Sequence, residues 1–236
     1  MSALILAIDT TGERGSLALV AEQGVAEDVL LESRDGFAHL LFGEIEALLA
    51  RAGVDVRDVA AFASASGPGS FTGVRVGLTA VKGLAEATGR PAIAVSNLQA
   101  LASFGTGPLR AAVIDARRGE IYGGVYNDAL EPVHEEVVTK AETWLASLED
   151  WMARTPGANP NAVLEFITNG YVFPPVRGRV IEAPAALAAA IGKIAWDRFR
   201  RRAVQDPAEI DANYVRRSDA ELLWKDPIAA KGPAGR

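Results

Sequence analysis

The sequence predicts an α/β protein made of two similar lobes, and three observations carry that prediction. An apolar run, Leu4 to Ile8, ends at Asp9 and leads through a polar turn into a returning strand. The same order recurs 106 residues later, where Leu109 to Ile114 ends at Asp115. Between the two, Val59 to Ser64 runs into a glycine-rich turn and then a helical pattern, a strand–turn–helix unit. A repeat at that distance marks a duplicated α/β half and not a solenoid.

Each element follows from its own pattern. Leu4 to Ile8 is continuously apolar, as a buried strand is. Thr10 to Gly15 turns the chain and Ser16 to Ala21 returns, so the two strands form a hairpin. Val25 to Glu32 reads as a third, edge-like strand. Phe37, Leu40, Leu41, Ile45, Leu48 and Leu49 fall at helical spacing, with Asp35 placed to cap and Gly53 to end the helix. After Val59 to Ser64 comes the turn, then a helix from Gly73 to Thr88 closed by Gly89. Ala92 to Val95 is a short strand. Ser96 can cap a helix through Ala102.

Gly105 to Pro108 is a turn-rich linker, after which the pattern restarts. Leu109 to Ile114, the turn Ala116 to Gly119 and Glu120 to Tyr126 make the second hairpin. Thr143 to Ala153 is helical, with Trp144, Leu145, Leu148 and Met152 on one face. Thr155 to Asn161 is a Pro/Gly/Asn loop. Val163 to Thr168 is a strand, and Pro174-Pro175 breaks the chain again. Pro184 to Arg202 is an alanine-rich helix. The division expected is a first lobe over 1–105 and a second over 106–212. Residues 213–225, with Tyr214, Leu222, Leu223 and Trp224, are placed to pack back on the first lobe. Residues 226–236 read as a mobile tail.

Composition bounds the function. The chain has 236 residues, 49% apolar and 23% charged, enough for a well-buried core. It has no cysteine, which excludes thiol catalysis, disulfides and cysteine–zinc sites. The net charge of −6 argues against bulk attraction to RNA. Arg198 to Arg202 holds the one cationic cluster; it reads as a solvated helix end, with an RNA-contacting patch as the alternative. The start, Met1 to Asp9, reads as a strand and not a signal peptide. No apolar run approaches the roughly 20 residues of a membrane span. A cytoplasmic protein with no membrane partner is expected.

The richest stretch is Gly67, Pro68, Gly69, Ser70, Phe71, Thr72 and Gly73. Three glycines and a proline make a tight turn. The helix start after it exposes unpaired N–H groups, which suits an anion or a close partner. It lacks GxGxxG spacing and the Lys-Ser/Thr of a P-loop. The plain reading is tight packing of helix on sheet.

The wording of this loop carries a resemblance. GPGSFTGVRVG, with ILAIDTT before it and IDARRGEIY after it, is similar to the bacterial TsaB (YeaZ) family. The resemblance runs from Leu4 to about Tyr126, with a weaker match at Tyr214-Val215-Arg216. It implies the duplicated fold of the actin, hexokinase and Hsp70-like ATPases. It implies a non-catalytic subunit of the machinery that makes threonylcarbamoyladenosine on tRNA. The catalytic paralogue TsaD and the ATPase TsaE are the implied partners. ATP and a metal would then sit in those partners and no cofactor in this chain, with tRNA reached only through the complex.

Asp9 and Asp115 end paired strands, and the superfamily resemblance implies that such acids handle a magnesium–phosphate group or a water. The alternative is a strand-end aspartate that bonds turn amides. No second acid or Lys completes a phosphate site beside them. His39 and His134 are the two histidines. The position four beyond His39 is Gly43, which cannot ligate, so His39 reads as a helix-surface or interface residue. Gly73 and Gly77 share a helix face, where small residues permit close approach. With Phe37, His39, Leu41 and Phe42 they are the partner interface implied by the family, or a homodimer through the same helices; ordinary packing in this chain's own core is the alternative. A self-sufficient ATPase or phosphotransferase, and a glycoprotease-like metallopeptidase, are the alternative functions.

Overall fold

A computed structural model describes residues 3–154, 164–213 and 215. Its strands are β1 (Leu4–Asp9), β2 (Arg14–Ala21), β3 (Gly24–Glu32), β4 (Val59–Ala65), β5 (Ala92–Val95), β6 (Leu109–Arg117), β7 (Glu120–Asn127), β8 (Pro132–Lys140), β9 (Glu165–Thr168) and β10 (Arg179–Glu182). The helices are α1 (Leu41–Ala52), α2 (Phe71–Thr88), α3 (Asn97–Ala102), α4 (Ala141–Arg154) and α5 (Ala188–Arg200).

The strands form two five-stranded sheets, ordered β3-β2-β1-β4-β5 and β8-β7-β6-β9-β10. The two orders correspond strand for strand. In each, an antiparallel meander is followed by two parallel strands. The predicted duplication, with a hairpin after Asp9 and another after Asp115, is therefore the architecture observed. β8 and β10 are new relative to the sequence reading. Both are outermost strands with largely exposed or half-buried side chains, so neither carries a strong apolar alternation.

Several boundaries move, α4 among them, which starts at Ala141. α1 begins at Leu41 and not at Phe37, and Asp35 does not cap it; Leu40 stands at the N-cap without a side-chain bond. Gly36, at φ +80°, swings the chain so that Phe37 turns inward against Gly15. α2 starts at Phe71, two residues early, because Ser70 Oγ accepts the Gly73 N–H at 3.2 Å. α5 starts at Ala188, beyond Pro184. Ser96 caps α3 as expected.

The core has three parts. One face of the first sheet packs under α1 and α2, through Leu6, Ile8, Leu17 and Phe62. Its other face and the inner face of the second sheet enclose α3 and α5. The outer face of the second sheet packs on α4, through Trp144 and Leu148. Chain order and packing part company in the middle layer. α3 lies against β6 and β7 of the second sheet, while α5 lies against β1 and β2 of the first. Beyond α5 the chain stays on the first half. Gln205 exchanges backbone hydrogen bonds with Ala92, and Ile210 is fully buried beside α1 and α2. The return over the first lobe thus begins earlier than expected. Of 213–225 only Asn213 and Val215 are described, and 226–236 lies outside the described residues.

Candidate docking face and polar junction

α1 and α2 cover the same face of the first sheet. α1 buries Leu41, Ile45, Leu48 and Leu49. α2 buries Val74, Leu78, Val81 and Ala85. The outward positions are Phe42, Gly43, Glu46, Ala47, Ala50 and Arg51 on α1, and Phe71, Thr72, Arg75, Thr79, Gly83, Glu86 and Ala87 on α2. Phe42 is 57% exposed and Phe71 43%, unusual for side chains of that size. The Arg75 guanidinium lies over the Phe71 ring, 3.9 Å from its centroid.

Several of the expected interface residues point the other way. Phe37 and Leu41 are in the core. A Cβ on Gly73 would stand 1.9 Å from the Thr10 carbonyl oxygen, and one on Gly77 2.8 Å from Thr10 Oγ1 and 2.9 Å from Ser64 Oγ. These glycines bring α2 down onto β1 and β4 of its own sheet. The helix spacing was legible; which side of the helix met the sheet was not. His39 lies exposed in the turn before α1, and Phe42 is outward. The sequence reading missed Gly43 and Gly83 as a pair. A Cβ at either would meet nothing within 4 Å.

The glycine loop is stitched to its own chain. Gly67 N–H donates to Asn97 Oδ1 at 2.9 Å, and Asn97 N–H to the Gly67 carbonyl at 2.8 Å. Ser70 N–H donates to the Thr11 carbonyl at 2.8 Å. Gly67 sits at φ +97°, where a side chain is disfavoured. Gly69 backs onto Thr11, so that a Cβ there would lie 2.8 Å from the Thr11 carbonyl oxygen. These bonds support the packing reading of the loop.

Asp9 lies beneath it, 2% exposed. Its Oδ1 accepts the Thr11 N–H at 3.0 Å and the Thr11 hydroxyl at 2.6 Å. Asn97 Nδ2 donates in turn to Thr11 Oγ1 at 2.6 Å. Burial pushes the Asp9 carboxyl above the ordinary carboxylate range, opposed by the Thr11 bonds and weaker ones from Asn97 and the Leu187 N–H. The start of α5 leans on the same place, where the Ala188 N–H donates to Ser16 Oγ at 3.1 Å. Asp115 is exposed, accepts the Arg117 N–H at 2.8 Å and lies 3.6 Å from the Arg117 guanidinium. Asp9 is closed over by the chain's own donors, and Asp115 already faces a cation. The turn-amide role suits both. His134 stands edge-on to Trp151 of α4, with centroids 5.7 Å apart.

Arg198 is not a free cation. Its guanidinium donates to the Ala94 carbonyl at 2.6 Å and to Gln99 Oε1 at 2.8 Å, fastening α5 to β5 and α3. Arg200, Arg201 and Arg202 are exposed. No helix among the described residues is long and apolar enough to cross a membrane.

Comparison with known proteins agrees with this architecture. Residues 33–219 match the family model described as TsaD: tRNA N6-adenosine threonylcarbamoyltransferase. The chain is 34% identical over 168 residues to the tRNA threonylcarbamoyladenosine biosynthesis protein TsaB of Escherichia coli, covering 63% of this chain and 72% of that protein. It is 34% identical over 151 residues to TsaB of Bacillus subtilis, covering 62% of this chain and 66% of that one. The solved structure of YeaZ from Pseudomonas aeruginosa superposes with a TM-score of 0.74 at 27% identity, over 90% of this chain and 99% of that chain. A family-model match over most of the chain, two curated relatives and a full-length structural match converge, and the chain belongs to the TsaB (YeaZ) family.

Proposed function

We propose that this chain serves tRNA threonylcarbamoyladenosine biosynthesis as a scaffold that binds and activates the catalytic paralogue TsaD, with the ATPase TsaE as the further subunit. The docking surface is the outward stripe of α1 and α2. One observation carries this reading. Gly43 and Gly83 each lie in a helix where, beyond that helix's own backbone, nothing among the described residues comes within 4 Å of a Cβ. A glycine inside a helix costs about 0.5–1 kcal/mol relative to alanine. Nothing within this chain offsets that cost, whereas the close approach of a partner's helix does. Phe42, next to Gly43, and Phe71, at the start of α2, supply exposed apolar area on these two helices. ATP and the metal belong to the partner subunits in this reading, tRNA is met through the complex, and the setting is the cytoplasm. A homodimer through the same stripe is the form expected when the paralogue is missing.

Co-purification with tagged TsaD from the same cell tests the proposal. Phe42→Glu and Gly83→Arg should each weaken capture at least tenfold while leaving the circular dichroism spectrum intact. Leu41 and Gly77 are unsuitable probes, because both face this chain's own core. Unchanged capture by both folded variants would remove the docking face. ATP turnover by the isolated chain, lost in Asp9→Ala, would favour the phosphotransferase reading instead.

A further inference from the structure

Glu136 lies on β8, yet its carboxylate is used by three other parts of the chain. Its oxygens accept from the Ser96 hydroxyl at the N-cap of α3, the Tyr126 hydroxyl on β7 and the Asn213 side-chain amide beyond α5. Two features of the sheet make this reach possible. The β7–β8 register slips between Gly123↔Val137 and Val125↔His134, so two residues of β8 oppose one of β7. A regular pleat would send His134 and Glu136 to the same face. The bulge reverses the phase, and His134 meets Trp151 of α4 while Glu136 meets Ser96 of α3 on the opposite face. The second feature is Gly124, where a Cβ would stand 3.2 Å from Glu136 Cγ and 3.4 Å from Tyr126 Cε2.

The three donors are themselves anchored. Ser96 Oγ also accepts the Leu98 N–H at 3.2 Å, at the start of α3. The Asn213 N–H donates to the Ser66 carbonyl at 2.7 Å, at the end of β4. One carboxylate therefore joins the second sheet to Ser96, which directly follows β5 of the first sheet, and to the returning segment. Hydrogen bonds to an ionised acceptor are the stronger kind. The ion pair across the two hairpins, Glu13 with Arg117, is 84% and 70% exposed and competes with water.

We propose that Glu136 is a clasp that fixes the angle between the two sheets and holds residues 205–213 on the first half, so that the protein is a rigid platform and not a hinge. The proposal concerns the conformation of this chain alone and does not depend on which partner the helices take. The chain has no cysteine, so a pair can be introduced cleanly for spin labelling. Glu22→Cys in the β2–β3 turn and Asp128→Cys in the β7–β8 turn report the separation of the halves by double electron–electron resonance. Adding Glu136→Ala should at least double the width of the distance distribution. It should also raise amide exchange at residues 98–99 and 205–213 about tenfold or more, with β1 and β4 unchanged. An unchanged width and unchanged exchange in the folded variant would overturn the clasp. Should Glu136→Ala fail to fold, Glu136→Gln and Asn213→Ala are read by the same two measurements, and unchanged values in both would overturn it equally.

Discussion

Thr10 donates its hydroxyl to the Gly73 carbonyl at 2.6 Å, where the first turn of α2 crosses the end of β1. The contact needs a bare backbone on the helix side, since a Cβ on Gly73 would overlap the Thr10 carbonyl oxygen at 1.9 Å. Gly73→Ala should cost about 3 kcal/mol or more, at the upper end of overpacking effects, because the obstacle is backbone. Gly77→Ala meets the Thr10 and Ser64 hydroxyl oxygens, side-chain atoms that can yield only by loosening their bonds to the Gly73 and Ala65 carbonyls, and should cost about 1–3 kcal/mol. Gly83→Ala should stabilise the chain by about 0.5–1 kcal/mol. Urea midpoints of the three variants test the order; a Gly83→Ala variant less stable than the parent would contradict the open environment described for that residue.

Glu165 ties the linker between the halves. Its Oε2 accepts the Thr106 and Gly107 N–H groups, each at 2.6 Å, with the Thr106 hydroxyl at 3.2 Å from Oε1. The Gly107 N–H foremost, then the Thr106 groups and Arg179, hold the carboxyl below its ordinary value against the opposing effect of burial. The folded state binds this proton more weakly than the unfolded state. The stabilisation is therefore complete above the unfolded value and is lost as pH falls through the folded one. Glu165→Gln should lose about 1.5–3 kcal/mol at neutral pH, the range for hydrogen bonds to a charged group. Its stability should also lose less on acidification than the parent's. Denaturation series between pH 3 and 7 would decide; parallel curves would exclude the carboxylate role.

Asp9 should act with the opposite sign. Burial raises its carboxyl, so the folded state holds the proton more tightly than the unfolded state. Between the ordinary aspartate value of about 3.9 and the higher folded value, stability from this group falls as pH rises. Asp9→Asn removes the titration, and the variant should lack that decline whatever its absolute stability. A parent and variant with the same slope above pH 4 would show that Asp9 titrates normally.

Arg198 fastens α5 to the first half through two directed bonds, so Arg198→Met should cost about 1.5–3 kcal/mol. Arg201→Ala, at an exposed helix end, should stay within about 0.5 kcal/mol of the parent. Equal stability of the two variants would return Arg198 to the solvated cluster that its sequence context suggests.

The sequence alone determined the local elements and their duplication. Leu4 to Ile8 and Leu109 to Ile114 are apolar runs ended by an aspartate and a glycine-bearing turn, and that chemistry is written within a few residues. Ser96, Gly53 and Gly89 mark helix ends through short-range bonds and backbone angles, so they too were legible; the cap at Ser70 was not, and the helix it opens starts two residues before the start read from the apolar spacing. Tertiary structure alone decided which side of each element is buried. Gly73 and Gly77 read as an outward small-residue face until β1 and β4 are seen to take that side, leaving Gly43 and Gly83 outside. The exchange of α3 and α5 between sheets, the filling of the Asp9 corner by Thr11 and Asn97, and the reach of Glu136 to Ser96 and Asn213 join residues far apart in the chain. Periodicity records the dihedral repeat of one element and carries no information about which distant element will cover it. That choice belongs to packing, which exists only once the two halves have met.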